Sequence, residues 1–214
     1  MGGARRFTDR TDAGAQLATA LRERGLDADI ALAIPRGGLP LGRAVADALD
    51  VPLDIVVAKK IGAPGNPEYA IGAVASDGSV WRNETAFRGT STDEDYFQEM
   101  RETEAANARQ KADRYRGDRS EPDLTEKTVV VVDDGVATGS TVRACLKRLQ
   151  NTDAERIVLA VPVGPPSTID ELQDEADEVV CLETPSGFRG VGQFYENFAQ
   201  VSDEEAMEYL ESEP

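Results

Sequence analysis

Val129-Val-Val-Val-Asp-Asp-Gly-Val-Ala-Thr-Gly-Ser-Thr141 decides the fold of this chain. Four β-branched residues in succession predict a strand buried on both faces, as in a parallel sheet. Asp133 and Asp134 stand where that strand ends, and a short turn containing Gly135 and Gly139 follows. Beyond the turn, Val142, Cys145, Leu146 and Leu149 recur at i, i+3, i+4 and i+7, which is one face of a helix. Strand, acidic pair, Gly/Ser/Thr turn and helix together make a site for a phosphorylated sugar. The first N–H groups of the helix, at the positive end of its dipole, hold a phosphate. The hydroxyls of Thr138, Ser140 and Thr141 add donors, and the two carboxylates accept hydrogen bonds from a vicinal diol. A P-loop would need a Lys after its second glycine, and a dinucleotide fingerprint would need GxGxxG; neither is present in this stretch.

Reading outward, the same strand–turn–helix pattern recurs. Phe7 to Gly25 predicts an amphipathic first helix with Ala13, Leu17, Ala20 and Leu21 inward and Gly25 as its cap. Ile30–Ile34 is a short apolar strand that ends at Pro35-Arg-Gly-Gly38, and a helix follows with Leu41, Val45, Ala48 and Leu49 inward. Val51–Ala58 is expected as a third strand, ending at Lys59-Lys60. Ile71–Val74 and Val80-Trp81 suggest a hairpin turning at Asp77-Gly78, and Asp93–Arg116 is long, charged and helix-prone. Arg156–Val163, a helix over Ser167–Ala176 and Glu178–Leu182 complete the alternation. Alternating strands and helices imply an α/β protein with a mostly parallel central sheet flanked by helices. Ligands in such sheets lie at the carboxyl ends of the strands, where Pro35–Gly38, Lys60–Gly65 and Asp133–Thr141 are all expected. The length of 214 residues predicts a single domain over 1–214, with a helical insertion at about 82–120 and a C-terminal hood or tail at about 183–214.

Composition narrows the function. The formal net charge of −17 argues against nucleic acid and anionic membrane as partners. The excess acid is spread along the chain and Arg greatly outnumbers Lys, as in proteins of salt-accumulating halophiles. A phosphorylated ligand then requires local positive potential, for which Arg36, Lys59, Lys60, Arg82 and helix N-termini are the candidates. Histidine is absent, which excludes Ser-His-Asp and Cys-His mechanisms and any His-ligated metal. Any metal should be a hard cation held by oxygen. Cys145, on the apolar face of the helix after the motif, and Cys181, in an apolar run, are expected as buried free thiols in a reducing cytoplasm, with a disulfide between them left open by the sequence; no signal peptide and no membrane span is expected.

The motif Val129–Thr141 resembles the phosphoribosyl pyrophosphate (PRPP) motif of the type I phosphoribosyltransferases. The resemblance extends over nearly the whole chain, to a bacterial and archaeal group that shares Pro35-Arg-Gly-Gly38, Lys60-Ile-Gly62 with Pro67-Glu68, Ile71-Gly-Ala-Val74 and Val191-Gly-Gln-Phe-Tyr-Glu-Asn-Phe198. It implies that Asp133 and Asp134 bind the ribose 2′- and 3′-hydroxyls and hold Mg²⁺, directly or through water. It implies that Ala137, Thr138, Gly139, Ser140 and Thr141 wrap the 5′-phosphate, with Gly135 also among the PRPP-binding residues. Arg36, Gly37 and Gly38 match the pyrophosphate loop, where the family often has a cis peptide. Lys60 is expected to stabilise the leaving pyrophosphate, with catalytic roles for Asp133, Asp134 and Lys60. The turn-rich stretch Gly62–Gly72 is expected as a loop that could close over PRPP and exclude water. Phe188, Phe194, Tyr195 and Phe198 are expected mainly in the core, with one or two free to stack an acceptor ring.

The implied reaction uses Mg²⁺ and PRPP, with a base or other small nucleophile displacing pyrophosphate from C1. Oxopurine-using members carry an Asp at the position of Ala137, where it exchanges a proton with the base. Ala137 cannot, so a hypoxanthine/guanine transferase is disfavoured and the acceptor stays open. Two other functions stay open as well: a PRPP-sensing regulator without turnover, and an enzyme acting on another ribose phosphate. A homodimer is expected by family analogy alone.

Overall fold

The computed structural model describes residues 7–211, and in it the valine run becomes the middle strand of a five-stranded parallel sheet. The described residues fall into two units. The first holds the chain up to Ile55, Pro122–Thr138 and the chain from Asp153; the second holds Val56–Glu121 and Gly139–Thr152.

In the first unit, α1 (Arg10–Glu23) leads to β1 (Ile30–Ala33), α2 (Gly38–Leu49) and β2 (Leu53–Ile55). After the chain returns from the second unit come β6 (Thr128–Val132), β7 (Arg156–Val163), α6 (Pro166–Leu172) and β8 (Glu178–Glu183). A 3-10 turn, Val191–Phe194, and α7 (Asp203–Glu211) follow. Sheet order is β2-β1-β6-β7-β8, with Ala33 opposite Val132 and Val132 opposite Ala160. Val130, Val132, Val158 and Ala160 pack with Leu17 and Leu21 of α1 and with Leu41 and Val45 of α2. Val129 and Val131, whose side chains alternate to the other face, are also fully buried. This two-sided burial is what the unbroken valine run predicts, and each such side chain contributes about 1.5–3 kcal/mol.

The first helix begins at Arg10 and not at Phe7, because Asp9 caps it by accepting from the Asp12 N–H at 2.9 Å. Phe7 instead bridges to Tyr195, with its N–H donating to Phe194 O at 2.7 Å. Gly14 lets the two helices of this layer approach: a Cβ there would stand 2.8 Å from Leu41 Cα.

In the second unit, β3 (Ala58–Ala63), β4 (Asn66–Ala75) and β5 (Val80–Arg82) form an antiparallel sheet. With it go α3 (Glu84–Gly89), α4 (Glu94–Arg116) and α5 (Ser140–Gln150). The expected hairpin at Asp77-Gly78 is present, with Gly78 at φ 93° and Asp77 Oδ1 accepting from Ser79 N at 2.9 Å. Asp93 caps α4, whose bounds match the charged stretch. The inward face of α5 holds Val142, Cys145, Leu146 and Leu149, all buried.

One expected strand is in fact two. Val51–Ala58 does not run on to Lys59-Lys60; β2 ends at Ile55, and Ala58 starts a strand of the antiparallel sheet. Lys59 and Lys60 sit inside that strand, opposite Val74 and Ala73. The partner strand, and not the local pattern, holds these two lysines in extended backbone. The expected helix over Ser167–Ala176 ends early, at Leu172. Both cysteines are free thiols; Cys145 is buried, but Cys181 is only partly so, and desolvation pushes its thiol up to about 11.

Candidate active site

At the carboxyl ends of β1 and β6 the first unit brings two of the sequence-predicted loops side by side. Ile34 N donates to Val132 O at 2.9 Å, and Gly38 N donates back to Ile34 O at 3.0 Å. The Pro35–Arg36 peptide between them is cis, as the resemblance implies. A Cβ on Gly38 would lie 2.6 Å from Val132 O and 3.1 Å from Asp133 Cα. A Cβ on Gly37 would collide with the Asp134 carboxylate. The two glycines are therefore what allows the Pro35–Gly38 turn to lie against the acidic pair.

The two aspartates differ. Asp133 Oδ1 accepts from the Asp134 N–H at 2.9 Å, which turns the first carboxylate back on its own loop. Asp134 Oδ2 accepts from Arg10 Nε at 2.8 Å in a largely buried ion pair, and Asp134 O accepts from the Tyr195 hydroxyl at 2.6 Å. Burial pushes the Asp134 carboxyl above its usual range, and the Arg10 guanidinium pulls against that shift. Burial and the neighbouring Asp134 charge push the Tyr195 phenol far up, so it stays a donor.

Arg10 is absent from the sequence expectations. It is the first residue of α1, and nothing in the helix periodicity distinguishes it from a solvated arginine. Its Nη1 donates to Ala199 O at 2.6 Å, and its guanidinium lies 3.9 Å from the Phe198 ring centroid. Arg36 is also engaged, with Nη1 3.7 Å from Asp203 Oδ1 on α7. Among the four aromatics, Phe194 and Tyr195 are core residues, Phe188 stacks on Phe194 at 5.6 Å, and Phe198 is exposed.

Gly135 follows the pair at φ 149°, where a Cβ would meet the Val191 side chain at 2.7 Å. Val136 N then donates to Val163 O at 2.9 Å, and Ala137 O accepts from the Thr168 hydroxyl at 3.1 Å. Thr138 is the last residue of this segment of the first unit.

In the second unit, Gly139 stands at φ 76° and caps α5 through its backbone alone, its carbonyl accepting from Arg143 N at 2.8 Å. Ser140 is buried in the first turn and Thr141 half-buried. The helix thus opens with a glycine, leaving its leading N–H groups without a cap from that residue's side chain. Lys60 corrects its expectation: it does not end a parallel strand but lies on β3, half-exposed, with Nζ 3.6 Å from Glu68 Oε2. The stretch Gly62–Gly72, expected as a loop, is mostly strand. Only Pro64-Gly65 turns, and Gly62 pairs with Ala70 across the ladder. Arg82 is spent on glutamates, donating to Glu84 at 2.7 Å and Glu94 at 2.8 Å.

No group of three or more Asp, Glu, Cys or His able to cage a metal occurs among the described residues. An adjacent aspartate pair beside a glycine turn fits instead a cation that keeps its waters and takes most of its remaining oxygens from a phosphorylated ligand, as Mg²⁺ does.

The sequence profile of the phosphoribosyl transferase domain family matches residues 8–198. The Mycobacterium tuberculosis H37Rv protein named "Putative phosphoribosyl transferase Rv0571c" is 41% identical over 205 residues, covering 96% of this chain and 46% of its own length. This chain therefore spans about half the length of the curated relatives it matches. The crystal structure of the protein TT1426 from Thermus thermophilus is 40% identical, with a TM-score of 0.81 over 96% of this chain and 97% of that one. A hypothetical protein from Neisseria gonorrhoeae with bound ppGpp is 15% identical, with a TM-score of 0.51 over 99% of this chain and 98% of that one, a likeness of fold alone. No helix among the described residues is long and apolar enough to cross a membrane.

Proposed function

Because the chain belongs to the phosphoribosyl transferase domain family, of the type I fold, we propose that it binds PRPP and transfers its ribose phosphate to a small nucleophile. The observation that carries this reading is the seating of Gly37 and Gly38 against Asp133 and Asp134. Two successive positions without side chains beside two carboxylates let a pyrophosphate come close to the backbone of the turn and leave acceptors for a ribose diol.

In the proposed reaction the nucleophile forms a bond to C1 as the C1–O bond to pyrophosphate breaks, and that electron pair leaves with the pyrophosphate. The nucleophile's proton passes to solvent or to a group on the acceptor, since Ala137 offers none. Asp133 and Asp134 orient the ribose and support the positive charge that develops on it. Thr138, with Gly139, Ser140 and Thr141 directly after it in the chain, holds the 5′-phosphate through hydroxyls and the leading N–H groups of α5. Arg36, and Lys60 by resemblance, would act on the pyrophosphate. Asp133 and Asp134 would hold Mg²⁺, directly or through water, and the ion would supply positive charge to offset that of the departing pyrophosphate. The net charge of −17 argues against nucleic-acid partners, the two free thiols fit a reducing cytoplasm, and a homodimer belongs to the same proposal.

Calorimetric titration of PRPP with and without Mg²⁺, in concentrated KCl, tests the reading. Saturable Mg²⁺-dependent binding is expected. Asp134→Asn and Thr138→Val should each weaken it, Asp134→Asn by about tenfold or more, as befits hydrogen bonds to a charged group. If either variant binds like the parent, the motif assignment is wrong. Pyrophosphate release on addition of acceptors then separates a transferase from a PRPP sensor, which would bind without turnover.

A further inference from the structure

Arg10 is held from three sides in the first unit. Its Nε donates to Asp134 Oδ2 at 2.8 Å, its Nη1 donates to Ala199 O at 2.6 Å, and its plane lies over Phe198 at 3.9 Å. Only 12% of its side chain is exposed. A guanidinium fixed at three points has one orientation, and it passes that orientation to whatever it bonds. The C-terminal segment that holds it also reaches Asp134 directly, through the Tyr195 hydroxyl on Asp134 O at 2.6 Å. Tyr195 is itself anchored: its ring packs on Phe198 at 4.9 Å and on Phe7 at 5.4 Å. The absent side chain of Gly37 leaves the room that the Asp134 carboxylate occupies.

We infer that Arg10, clamped by the segment Tyr195–Ala199, is the positioning residue that sets the Asp134 carboxylate for the ribose diol. This rests on the function proposed above. Asp133 accepts from the backbone of its own loop, and Asp134 accepts from groups more than 120 residues away in one direction and about 60 in the other. The aromatic tail motif Phe194-Tyr-Glu-Asn-Phe198 thereby acquires a use besides core packing. It holds an arginine, and through it one carboxylate of the diol site.

The test is a double-mutant cycle on Mg-PRPP binding by calorimetry, using the parent chain, Arg10→Met, Asp134→Asn and the double variant, with melting temperatures recorded for each. Arg10→Met keeps the length and apolar contact of the stem, so a folded variant is expected. Its affinity should fall about tenfold, the lower end of what removing an orienting partner costs. Arg10→Lys, which keeps the charge without the planar fork, should recover only part of that loss. In the Asp134→Asn background, Arg10→Met should cost little more, because it acts through a carboxylate that is no longer there. Additive losses would overturn the inference, since Arg10 would then touch the ligand or act by general stability. Tighter binding by Arg10→Met would also overturn it and would show Arg10 competing with the diol for Asp134. If the parent itself fails to bind PRPP while folded, the proposed function fails, and the inference with it. Parent binding that Arg10→Met leaves unchanged overturns the inference alone.

Discussion

The two units bury their strands by different means. In the first, β6 and β7 are covered on both faces, and Val129–Val132 is buried without interruption. In the second, a single strand, β4, runs from exposed at Asn66–Tyr69 to fully buried from Ile71 to Ala75. Their charges are placed differently as well. In the first unit, Arg10 at the start of α1 and Arg36 in the glycine turn pair with carboxylates distant in the chain, Asp134 and Asp203. In the second, Lys60 and Arg82 pair with glutamates within a dozen residues, Glu68, Glu84 and Glu94. The Arg10–Asp134 pair holds a largely buried carboxylate in place, whereas the pairs of Lys60 and Arg82 only neutralise charge near solvent.

The largest test of this comparison asks whether the second unit's core is as firm as the first's, despite its half-exposed strand. Leu159 on β7 and Ile71 on β4 are both fully buried. Leu159→Ala and Ile71→Ala should each destabilise by about 2–5 kcal/mol, because each leaves a cavity where a fully buried side chain stood. Denaturant unfolding measures both. A cost for Ile71→Ala well below that of Leu159→Ala would mean that the cluster of Ile61, Ile71, Val74 and Phe97 is loosely packed, and that the two cores are unequal.

The same difference sets how much can be read from the sequence. Strand, turn and helix follow one another in the chain within Val129–Leu149, although the helix is counted in the second unit, so periodicity and turn chemistry suffice to place Asp133, Asp134 and the loop after them. Gly37 and Gly38 are legible for the same reason. Local reading misplaces Lys60 because an antiparallel partner decides the conformation of β3, and no local signal announces that partner. The Gly62–Gly72 stretch misleads in the opposite way: turn residues suggest a loop where a bulged ladder accommodates them, with a register shift at Ile61–Ala63. Arg10 is invisible for a third reason. Its role comes from a tertiary contact, and an arginine opening an amphipathic helix carries no mark of it.

A smaller effect is expected from salt. Acidic residues crowd the first half of α4, from Glu94 to Glu104, and the first turn of α7, and the whole chain carries a net charge of −17. In dilute buffer the Debye length is about 30 Å at 0.01 M and repulsion acts across either unit; at 1 M it falls to about 3 Å. The melting temperature should therefore rise by several degrees between low and multimolar KCl. The site's ion pair between Arg10 and Asp134, being largely buried, should be weakened far less by that salt than the exposed pairs of Arg82. A melting temperature that stays flat across this range would show that the acidic excess exerts no net strain on the fold, and the parallel with halophile proteins would lapse.

The smallest effect lies within β4 itself. Tyr69 is a large aromatic on a strand, yet it is 49% exposed, two residues before the fully buried Ile71. Side chains two apart on a regular strand share a face, so equal burial would be expected of this pair. The register shifts opposite, between Ile61 and Ala63, break that equivalence and let the outer half of the hairpin leave the core. Tyr69→Ser should then change stability by no more than about 0.5 kcal/mol, as for a surface site. Set beside the loss at Ile71→Ala, that near-neutrality locates the edge of the second unit's core between two neighbouring positions of one strand. A cost for Tyr69→Ser approaching that of Ile71→Ala would show that the outer half of β4 is buried in solution, and that the contrast between the two units is smaller than their strands suggest.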